Sequence, residues 1–190
     1  MLVAGIDEVG RGCLVGPVMA AAVILDPEQP ILGLTDSKKL TPQRRFELSV
    51  LIKASAISWS VARVEASEID RINIFQASLL AMVRAFNGLS VIPDRVLVDG
   101  NRYPAIACAG EAIIKGDLLI PAISAASILA KVARDKEMSL LDDLYPGYEF
   151  AQHKGYPTVL HKQKIQLLGL TPLHRQSFAP IKNWAATVKA

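Results

Sequence analysis

The chain has 190 residues, of which 51% are apolar and 21% charged, and its formal net charge is +3. This composition is typical of a soluble globular protein rather than a disordered or fibrous one, and the length predicts a single domain, 1–190. The apolar runs are too short to cross a bilayer, and the start lacks the basic segment and cleavage site of a signal peptide. The two cysteines lie far apart and outside any C-x-x-C arrangement, which disfavours a zinc site or a disulfide framework and favours a reducing cytoplasm.

The first predicted strand delivers two adjacent carboxylates. An apolar run from Leu2 to Ile6 is followed directly by Asp7 and Glu8, and then by the loop Gly10–Gly12. Glycines let this loop adopt positive φ and let another molecule approach its backbone closely. An acidic pair beside a cationic glycine loop favours a metal-assisted phosphate site, and a solvated turn at the end of the strand is the alternative.

The next elements continue the sheet and cover it. A second strand, Val18 to Leu25, is expected to pair with the first as a hairpin. Lys38 and Lys39 follow in a polar loop, from which they could reach a phosphate, although a solvated loop is the commoner role. The remaining elements of this half are a helix from Gln43 to Lys53, a strand from Ala56 to Val64 and a helix from Ile74 to Phe86.

Two more acids follow short apolar runs. Arg95 to Val98 predicts a strand that ends at Asp99, and Asp117 follows a later strand-like piece. A long helix is predicted from Pro121 to Leu144, and its small residues would let it lie close against the sheet or a ligand. The strand-like pieces before this helix are Ala105 to Cys108 and Glu111 to Lys115.

The segment from about residue 151 to 190 is basic and predicted to be helical from Val159 to Leu168. It contains six Lys or Arg and all three histidines but no Asp or Glu, which predicts contact with a nucleic acid. Tyr156 lies between a glycine and a proline, where its ring could pack on a sugar or base or serve plain packing. The histidines lack H-E-x-x-H spacing, so phosphate contacts or structural roles are favoured over metal binding. The basic residues are Lys154, Lys162, Lys164, Arg175, Lys182 and Lys189, and the histidines are His153, His161 and His174.

Four acids at strand ends predict a metal centre in a mixed α/β unit. Strands of one sheet can bring their ends to a common edge, where like charges would raise one another's pKa unless a cation lies among them. Mg²⁺ or Mn²⁺ suits carboxylates and phosphates, and two such ions about 3.5 to 4 Å apart could assist in-line attack on a phosphodiester. Neither a G-x-S-x-G elbow nor a P-loop is present. The four acids are Asp7, Glu8, Asp99 and Asp117.

Taken together and in this order, the motifs resemble bacterial ribonuclease HII, the type 2 ribonuclease H, over nearly the whole chain. Each motif alone is weak, and their order and spacing make the resemblance specific. The motifs are D-E-V-G-R-G at Asp7 to Gly12, G-P-V at Gly16 to Val18, D-S-K-K-L at Asp36 to Leu40, V-D-G-N at Val98 to Asn101, K-G-D at Lys115 to Asp117, I-S-A-A-S-I-L-A-K-V-A-R-D at Ile123 to Asp135, H-K-G-Y-P-T at His153 to Thr158 and H-R-Q-S-F at His174 to Phe178.

The resemblance implies a ribonuclease H-like fold, a central mixed sheet flanked by helices with a small helical C-terminal segment. It also implies cleavage of the RNA strand of RNA–DNA hybrids and incision 5′ of single ribonucleotides in duplex DNA, leaving a 5′-phosphate and a 3′-hydroxyl. The four carboxylates would bind Mn²⁺ or Mg²⁺. Gly10, Arg11 and Gly12 would read the 2′-hydroxyl where ribose meets deoxyribose, and Tyr156 would pack at that junction. Only the 2′-hydroxyl distinguishes RNA from DNA at one nucleotide.

Two residues depart from the pattern of that family. Cys13 stands where proline is usual and Val9 where alanine is usual, which puts the rigidity of the glycine loop in doubt. Lys38, Lys39 and the basic tail are expected to contact phosphates, and the protein is expected to be a monomer. The alternatives are a nuclease of the same fold acting on DNA and a hybrid-binding module with a degenerate site, although the presence of all four acids argues against the latter.

Overall fold

A computed structural model describes residues 1–187, which form a five-stranded sheet with helices on both faces. The strands are β1 (Val3–Val9), β2 (Val18–Ile24), β3 (Ser58–Val64), β4 (Arg95–Asp99) and β5 (Gly110–Ile113). The helices are α1 (Pro42–Ser55), α2 (Ala66–Ile72), α3 (Ile74–Asn87), α4 (Gly116–Leu119), α5 (Pro121–Leu144), α6 (Phe150–His153), α7 (Val159–Leu168) and α8 (Ile181–Thr187), with a 3-10 turn at Ser37–Lys39. Within this span, no helix combines the length and apolar character needed to cross a bilayer.

The sheet is mixed, with strand order β3-β2-β1-β4-β5. β1 and β2 form the predicted antiparallel pair, with Ala4 opposite Ile24. β1 runs parallel to β4, with Ile6 opposite Val98, and β4 runs parallel to β5. Because β1, β4 and β5 are parallel, their carboxyl ends meet at one edge of the sheet. The α/β fold class predicted from the sequence is thereby confirmed.

Two helices cover the two faces of the sheet. On one face, α5 lies so close to β1 that a Cβ added to Gly5 would lie 2.1 Å from the carbonyl carbon of Ala122. The small residues of α5 therefore allow close approach to the sheet, as their pattern predicted. On the other face, α3 buries Ala77, Ala81 and Ala85 against the core that contains Ile6. This tight sandwich holds the edge formed by the parallel strands in place.

The predicted position of the first two acids was wrong in one respect. Asp7 and Glu8 lie inside β1 rather than beyond its end, because β2 pairs alongside both of them, up to Val9 opposite Met19. Successive residues of a strand point to opposite faces. The two carboxylates are therefore presented on different sides of the sheet edge.

A predicted strand-like piece from Ala105 to Cys108 is not a strand. This segment is held by side chains instead, since the Tyr103 hydroxyl donates to the carbonyl of Cys108 over 2.9 Å and the Cys108 thiol approaches the carbonyl of Pro93. Pairing with β4 begins only where Val96 N–H donates to the carbonyl of Ala109. The second predicted piece is β5, which ends two residues earlier than expected.

Candidate active site

The four predicted acids lie around the carboxyl edge of the parallel strands. Asp7 and Glu8 come from the end of β1, and Asp99 is the last residue of β4. Asp117 lies in the short helix α4, which follows β5. The backbone N–H of Asp117 donates to Asp99 Oδ1 over 3.3 Å. The fold thus brings together residues that are as much as 110 positions apart in sequence.

Asp7 is the most deeply buried of the four acids, with 6% of its surface exposed. Burial raises its pKa well above the usual value, and the neighbouring carboxylates of Glu8 and Asp99 raise it further. The Glu8 N–H donates to Asp7 Oδ1 over 2.7 Å. Within residues 1–187 no lysine or arginine forms an ion pair with Asp7, so this buried carboxyl lacks a cation.

The pKa values of Glu8 and Asp117 are raised for similar reasons. Burial raises the pKa of Glu8, and Arg11 opposes that shift through an ion pair at 3.2 Å. Burial also raises the pKa of Asp117, with Asp99 and Asp36 adding to the effect and Lys38 opposing it. Asp99 is thus the common neighbour of the other three acids, as the repulsion among them shows.

Two serines of α5, which the sequence pattern indicates only as small residues, lie beside the acids. The Ser127 hydroxyl donates to that of Ser37 over 2.9 Å and lies close enough to Asp7 to lower the pKa of that carboxyl. The Ser124 hydroxyl donates to the carbonyl of Asp117 over 2.7 Å. α5 therefore contacts acids from both β1 and α4. Serine within an otherwise apolar, sheet-facing helix is the signal that could have identified this role.

The acidic edge supplies hard oxygen donors and no sulfur or nitrogen ligand. Such a set suits Mg²⁺ or Mn²⁺, both of which favour carboxylate and phosphate oxygens. Among the side chains of the described segment, no three His, Cys, Asp or Glu are gathered closely enough to hold an ion by themselves. The chemistry of the donors and the buried, unpaired Asp7 nevertheless fit a divalent cation, because a cation would offset the mutual repulsion of the carboxylates.

The loop Gly10–Gly12 lies beside the acids. Gly10 has φ of +90°, and a Cβ added there would lie 2.5 Å from Arg134 Nε. Gly12 is different, since a Cβ added to it would meet nothing within 4 Å. Packing within the protein therefore requires glycine at position 10 and leaves open space at position 12. Arg11 is half exposed and faces Glu8.

The segments that carry Tyr156 and the two loop lysines both contact α5, through Lys131 and Ser127. Tyr156 is partly buried beside Cys13, and the Lys131 ammonium lies 5.8 Å from the centre of its ring. Lys38 and Lys39 are exposed in the 3-10 turn, whose cap is the Asp36 carboxylate. Lys38 lies close enough to Asp117 to lower the pKa of that carboxyl.

The three histidines form a buried cluster and do not face solvent, which supports the structural role and excludes the predicted phosphate contacts. Thr171 N–H donates to His174 Nδ1 over 2.9 Å, so the proton of His174 is on Nε2. That N–H points at His161 Nε2, 3.3 Å away, which leaves the His161 proton on Nδ1 to donate to the carbonyl of Tyr156 over 3.0 Å. The ring of His153 stacks on that of His161. The cluster thus anchors the backbone of Tyr156.

The basic tail is only partly available to a nucleic acid. Lys162 and Lys182 are exposed, whereas Lys164 pairs with Glu149 at 3.6 Å. Arg175 is fully buried, so its predicted phosphate contact is wrong. Charge counting along the sequence cannot distinguish a buried arginine from a surface one. Lys189 lies outside the described residues.

A mixed sheet in this order, flanked by helices on both faces, is the ribonuclease H-like fold. Residues 4–181 match the family described as Ribonuclease HII, and the chain belongs to that family. It is a ribonuclease H, an endonuclease that acts on RNA–DNA hybrids. Enzymes of this family generally use divalent metal ions.

Solved structures support the fold. The ribonuclease H2 from Pyrococcus horikoshii OT3 is similar at 28% identity with a TM-score of 0.83, and the match covers 100% of this chain and 99% of that one. The RNase HII of Archaeoglobus fulgidus, solved in a complex with PCNA, has 24% identity and a TM-score of 0.70 over 100% of this chain and 91% of that one. Bst-RNase HIII in complex with Mn²⁺ has 20% identity and a TM-score of 0.71, with 100% of this chain and 70% of that one covered.

Proposed function

We propose that this ribonuclease H both hydrolyses the RNA strand of hybrids and incises 5′ of a single ribonucleotide embedded in duplex DNA. In this proposal Asp7, Glu8, Asp99 and Asp117 hold Mg²⁺ or Mn²⁺, and the products carry a 5′-phosphate and a 3′-hydroxyl. The observation that carries the proposal is the convergence of these acids, with Asp7 buried and lacking a cationic partner.

The acids have distinct tasks in the proposed reaction. Asp99 is the common neighbour of the other three acids, so it would help to hold a divalent ion together with them. Ser124 holds the backbone of Asp117 and Ser127 lies beside Asp7, which reduces the reorganisation needed when metal ions bind. The divalent ions, once bound, supply activation of water and stabilisation of the leaving oxygen in an in-line displacement.

In the proposal the ribose is recognised by the glycine loop, which lies beside the acids. The open space above Gly12 lets a sugar approach the loop backbone, where amide and carbonyl groups can recognise a 2′-hydroxyl. The Tyr156 ring, whose backbone carbonyl is anchored by His161, offers an apolar face at the junction with deoxyribose. Arg11, Lys38, Lys39 and the exposed Lys162 and Lys182 contribute positive charge for the phosphates.

The test is cleavage of three labelled duplexes by the same preparation. One contains a single ribonucleotide, one is an uninterrupted RNA–DNA hybrid and one is all DNA, each with Mg²⁺, Mn²⁺ or EDTA. We expect metal-dependent incision 5′ of the ribonucleotide and cleavage of the hybrid, with the all-DNA duplex intact.

Each other pattern rejects a defined part of the proposal. Cleavage of the hybrid alone removes the junction role of Gly10–Gly12 and Tyr156. Cleavage of the all-DNA duplex indicates a DNA nuclease of the same fold, and binding without turnover in either metal indicates a binding module. Ends that a ligase cannot join would contradict the assignment of 5′-phosphate and 3′-hydroxyl.

The proposal includes a single catalytic domain that acts as a cytoplasmic monomer. A compact domain can bind a long duplex without a second copy, and the acids and the reading loop come from one chain. Light scattering of the free protein and of its complex with the uncleaved duplex tests this. A 2:1 complex would contradict it.

A further inference from the structure

Two arginines lie buried beneath the Gly10–Gly12 loop. Arg134 is 1% exposed and Arg175 is fully buried, and they are the largest fully buried side chains of the described residues. They are close enough for the charge of Arg134 to help burial lower the pKa of Arg175 to about 10. Arg175 therefore remains charged at neutral pH.

Arg134 joins the glycine loop to the segment that carries Tyr156. Its Nη1 donates to the carbonyl of Pro17 over 3.0 Å, and its Nη2 lies 3.2 Å from the carbonyls of both Val15 and Lys154. Glycines let the backbone close around it, since a Cβ added to Gly155 would lie 3.0 Å from Arg134 Nη2. The Arg134 side chain also lies close to Gly10, where an added Cβ would meet its Nε and Cδ.

Arg175 extends this connection to the loop itself. Its Nη1 donates to the carbonyl of Arg11 over 2.9 Å, and its Nε donates to that of Gly16 over 3.0 Å. Its own N–H donates to the carbonyl of Leu14, and its guanidinium lies 5.0 Å from the centre of the Phe178 ring. The carbonyl of the central residue of the reading loop is thus bound directly by a buried cation.

This arrangement is costly for stability. Neither arginine forms an ion pair with a carboxylate of the described chain, and Arg134 Nε and Arg175 Nη2 are buried without a hydrogen-bond partner. Two adjacent buried cations repel each other, and each unpaired donor loses its water. Fully apolar side chains would fill the same space at lower cost. The feature that apolar side chains could not supply is the set of donors aimed at five backbone carbonyls.

We infer that Arg134 and Arg175 are positioning residues that fix the Gly10–Gly12 loop relative to Tyr156 and so determine selectivity for a single ribonucleotide. This inference rests on the proposed function, because it assigns those two elements to reading the junction. An uninterrupted hybrid offers a ribose at every step, so a loosely placed loop still finds a register. A duplex with one ribonucleotide offers only one register, in which loop and tyrosine must both be in place.

The experiment compares R134K and R175K with the wild type. Lysine keeps the charge but loses the planar fork of donors, so it cannot bind several carbonyls at once. The readout is kcat/KM for the single-ribonucleotide duplex divided by kcat/KM for the uninterrupted hybrid. We expect this ratio to fall about 10-fold or more in both variants, since misplacement by about 1 Å can reduce a rate by as much as 100-fold.

R84K is the matched control. Arg84 also donates to a backbone carbonyl, that of Arg63, but it lies on α3 and pairs with Glu68. The ratio of the two kcat/KM values for R84K should equal that of the wild type. If R134K does not fold, as judged by circular dichroism, R175K decides the question.

The possible outcomes distinguish a failure of the proposed function from a failure of the inference about the two arginines. A wild-type protein that fails to incise at the single ribonucleotide rejects the proposed function itself. A wild type that incises, together with variants in which both activities fall equally, overturns the inference, because a merely structural role lowers the amount of active enzyme and leaves the ratio unchanged.

Discussion

The acidic edge and the buried arginines beneath the glycine loop carry opposite charges, and both lack partners of the opposite charge within the described residues. On the acidic edge, Asp7 is buried beside other carboxylates and has no cationic partner among the described residues. Beneath the glycine loop, Arg134 and Arg175 are buried with no carboxylate partner. Neutralising each group within the fold would stabilise the protein. Neither side is arranged for stability, which is typical of functional sites.

The acidic edge and the buried arginines differ in which groups can reach them. The carboxylates present oxygen atoms near a cleft that Glu8, Asp99 and Asn101 line, so a cation from solvent can reach them. The arginines are sealed from solvent and satisfied mainly by backbone carbonyls. In the proposed function the acids therefore bind metal ions, and the two arginines position the glycine loop. Substitutions on the two sides should have separable effects on activity and on stability.

The largest effect is expected from D7N on the acidic side. Asparagine removes the charge that a divalent ion needs, so cleavage of the hybrid should fall by about 1,000-fold or more, a loss of roughly 4 kcal/mol of transition-state stabilisation. Stability should not fall, because burial already raises the pKa of Asp7 and the substitution removes repulsion from Glu8. Initial rates and thermal midpoints without metal measure the two effects.

D143N is the control for D7N, since Asp143 is an exposed carboxylate on α5, away from the edge. It should leave both rate and midpoint close to the wild type. A D7N protein that is destabilised and still cleaves the hybrid at the normal rate would contradict the metal site.

The glycine loop offers the next test, because its two glycines differ. G10A should lower the free energy of unfolding by about 1–3 kcal/mol, since it introduces a Cβ at positive φ and against Arg134. G12A should leave the unfolding free energy nearly unchanged while reducing incision at a single ribonucleotide about 10-fold, because the added methyl occupies space open to the substrate. Urea denaturation and cleavage assays separate the two. Equal destabilisation by G10A and G12A would contradict the assignment of a packing role to Gly10 alone.

The buried histidines predict a fall in stability on mild acidification. Burial lowers the pKa of His161 and of His174 to about 4, whereas the unfolded chain takes up those protons near pH 6.5. The contribution of these two neutral histidines to the free energy of unfolding is therefore complete above pH 6.5 and is lost as the pH falls toward 4. Each histidine contributes at most roughly 3 kcal/mol. Asp7 has the opposite sign, since its raised pKa favours the folded protein at low pH.

NMR of the histidine ring protons tests this prediction without interference from the acids. The chain has only three histidines, so each signal can be followed individually. The signals of His161 and His174 should not titrate between pH 7.5 and 5.5. A midpoint near 6.5 for His161 or His174 would show that the cluster is open to water and would remove the anchor assigned to Tyr156.

The smallest effect is expected at Cys13, the residue that follows the glycine loop. Its thiol is buried beside Tyr156 and lies 3.6 Å from the carbonyl of Lys154. C13A should therefore cost about 1 kcal/mol of unfolding free energy and change selectivity less than 3-fold, because the arginines, not the thiol, hold the loop. If C13A lost as much selectivity as R134K, Cys13 rather than the arginines would be the residue that positions the loop.

Local patterns predicted most of the elements correctly. The helix predicted from Gln43 begins one residue earlier, at Pro42, where the Thr41 hydroxyl accepts from the N–H of Arg44. The long helix ends at Leu144, as predicted. Such signals act within a few residues, so they are visible in the sequence. The error at residues 105–108 arose because Tyr103 and Pro93 hold that segment through side-chain contacts, which β-propensity does not report.

The sequence by itself determined the alternation of strands and helices and the placement of acids behind apolar runs, because periodicity and burial are local consequences of residue type. Only the tertiary structure decided which charges are buried. Arg134 binds a carbonyl 117 positions away, and Arg175 binds one 164 positions away. No pattern along the chain encodes such contacts, because they depend on how α5 and the C-terminal segment close over the glycine loop.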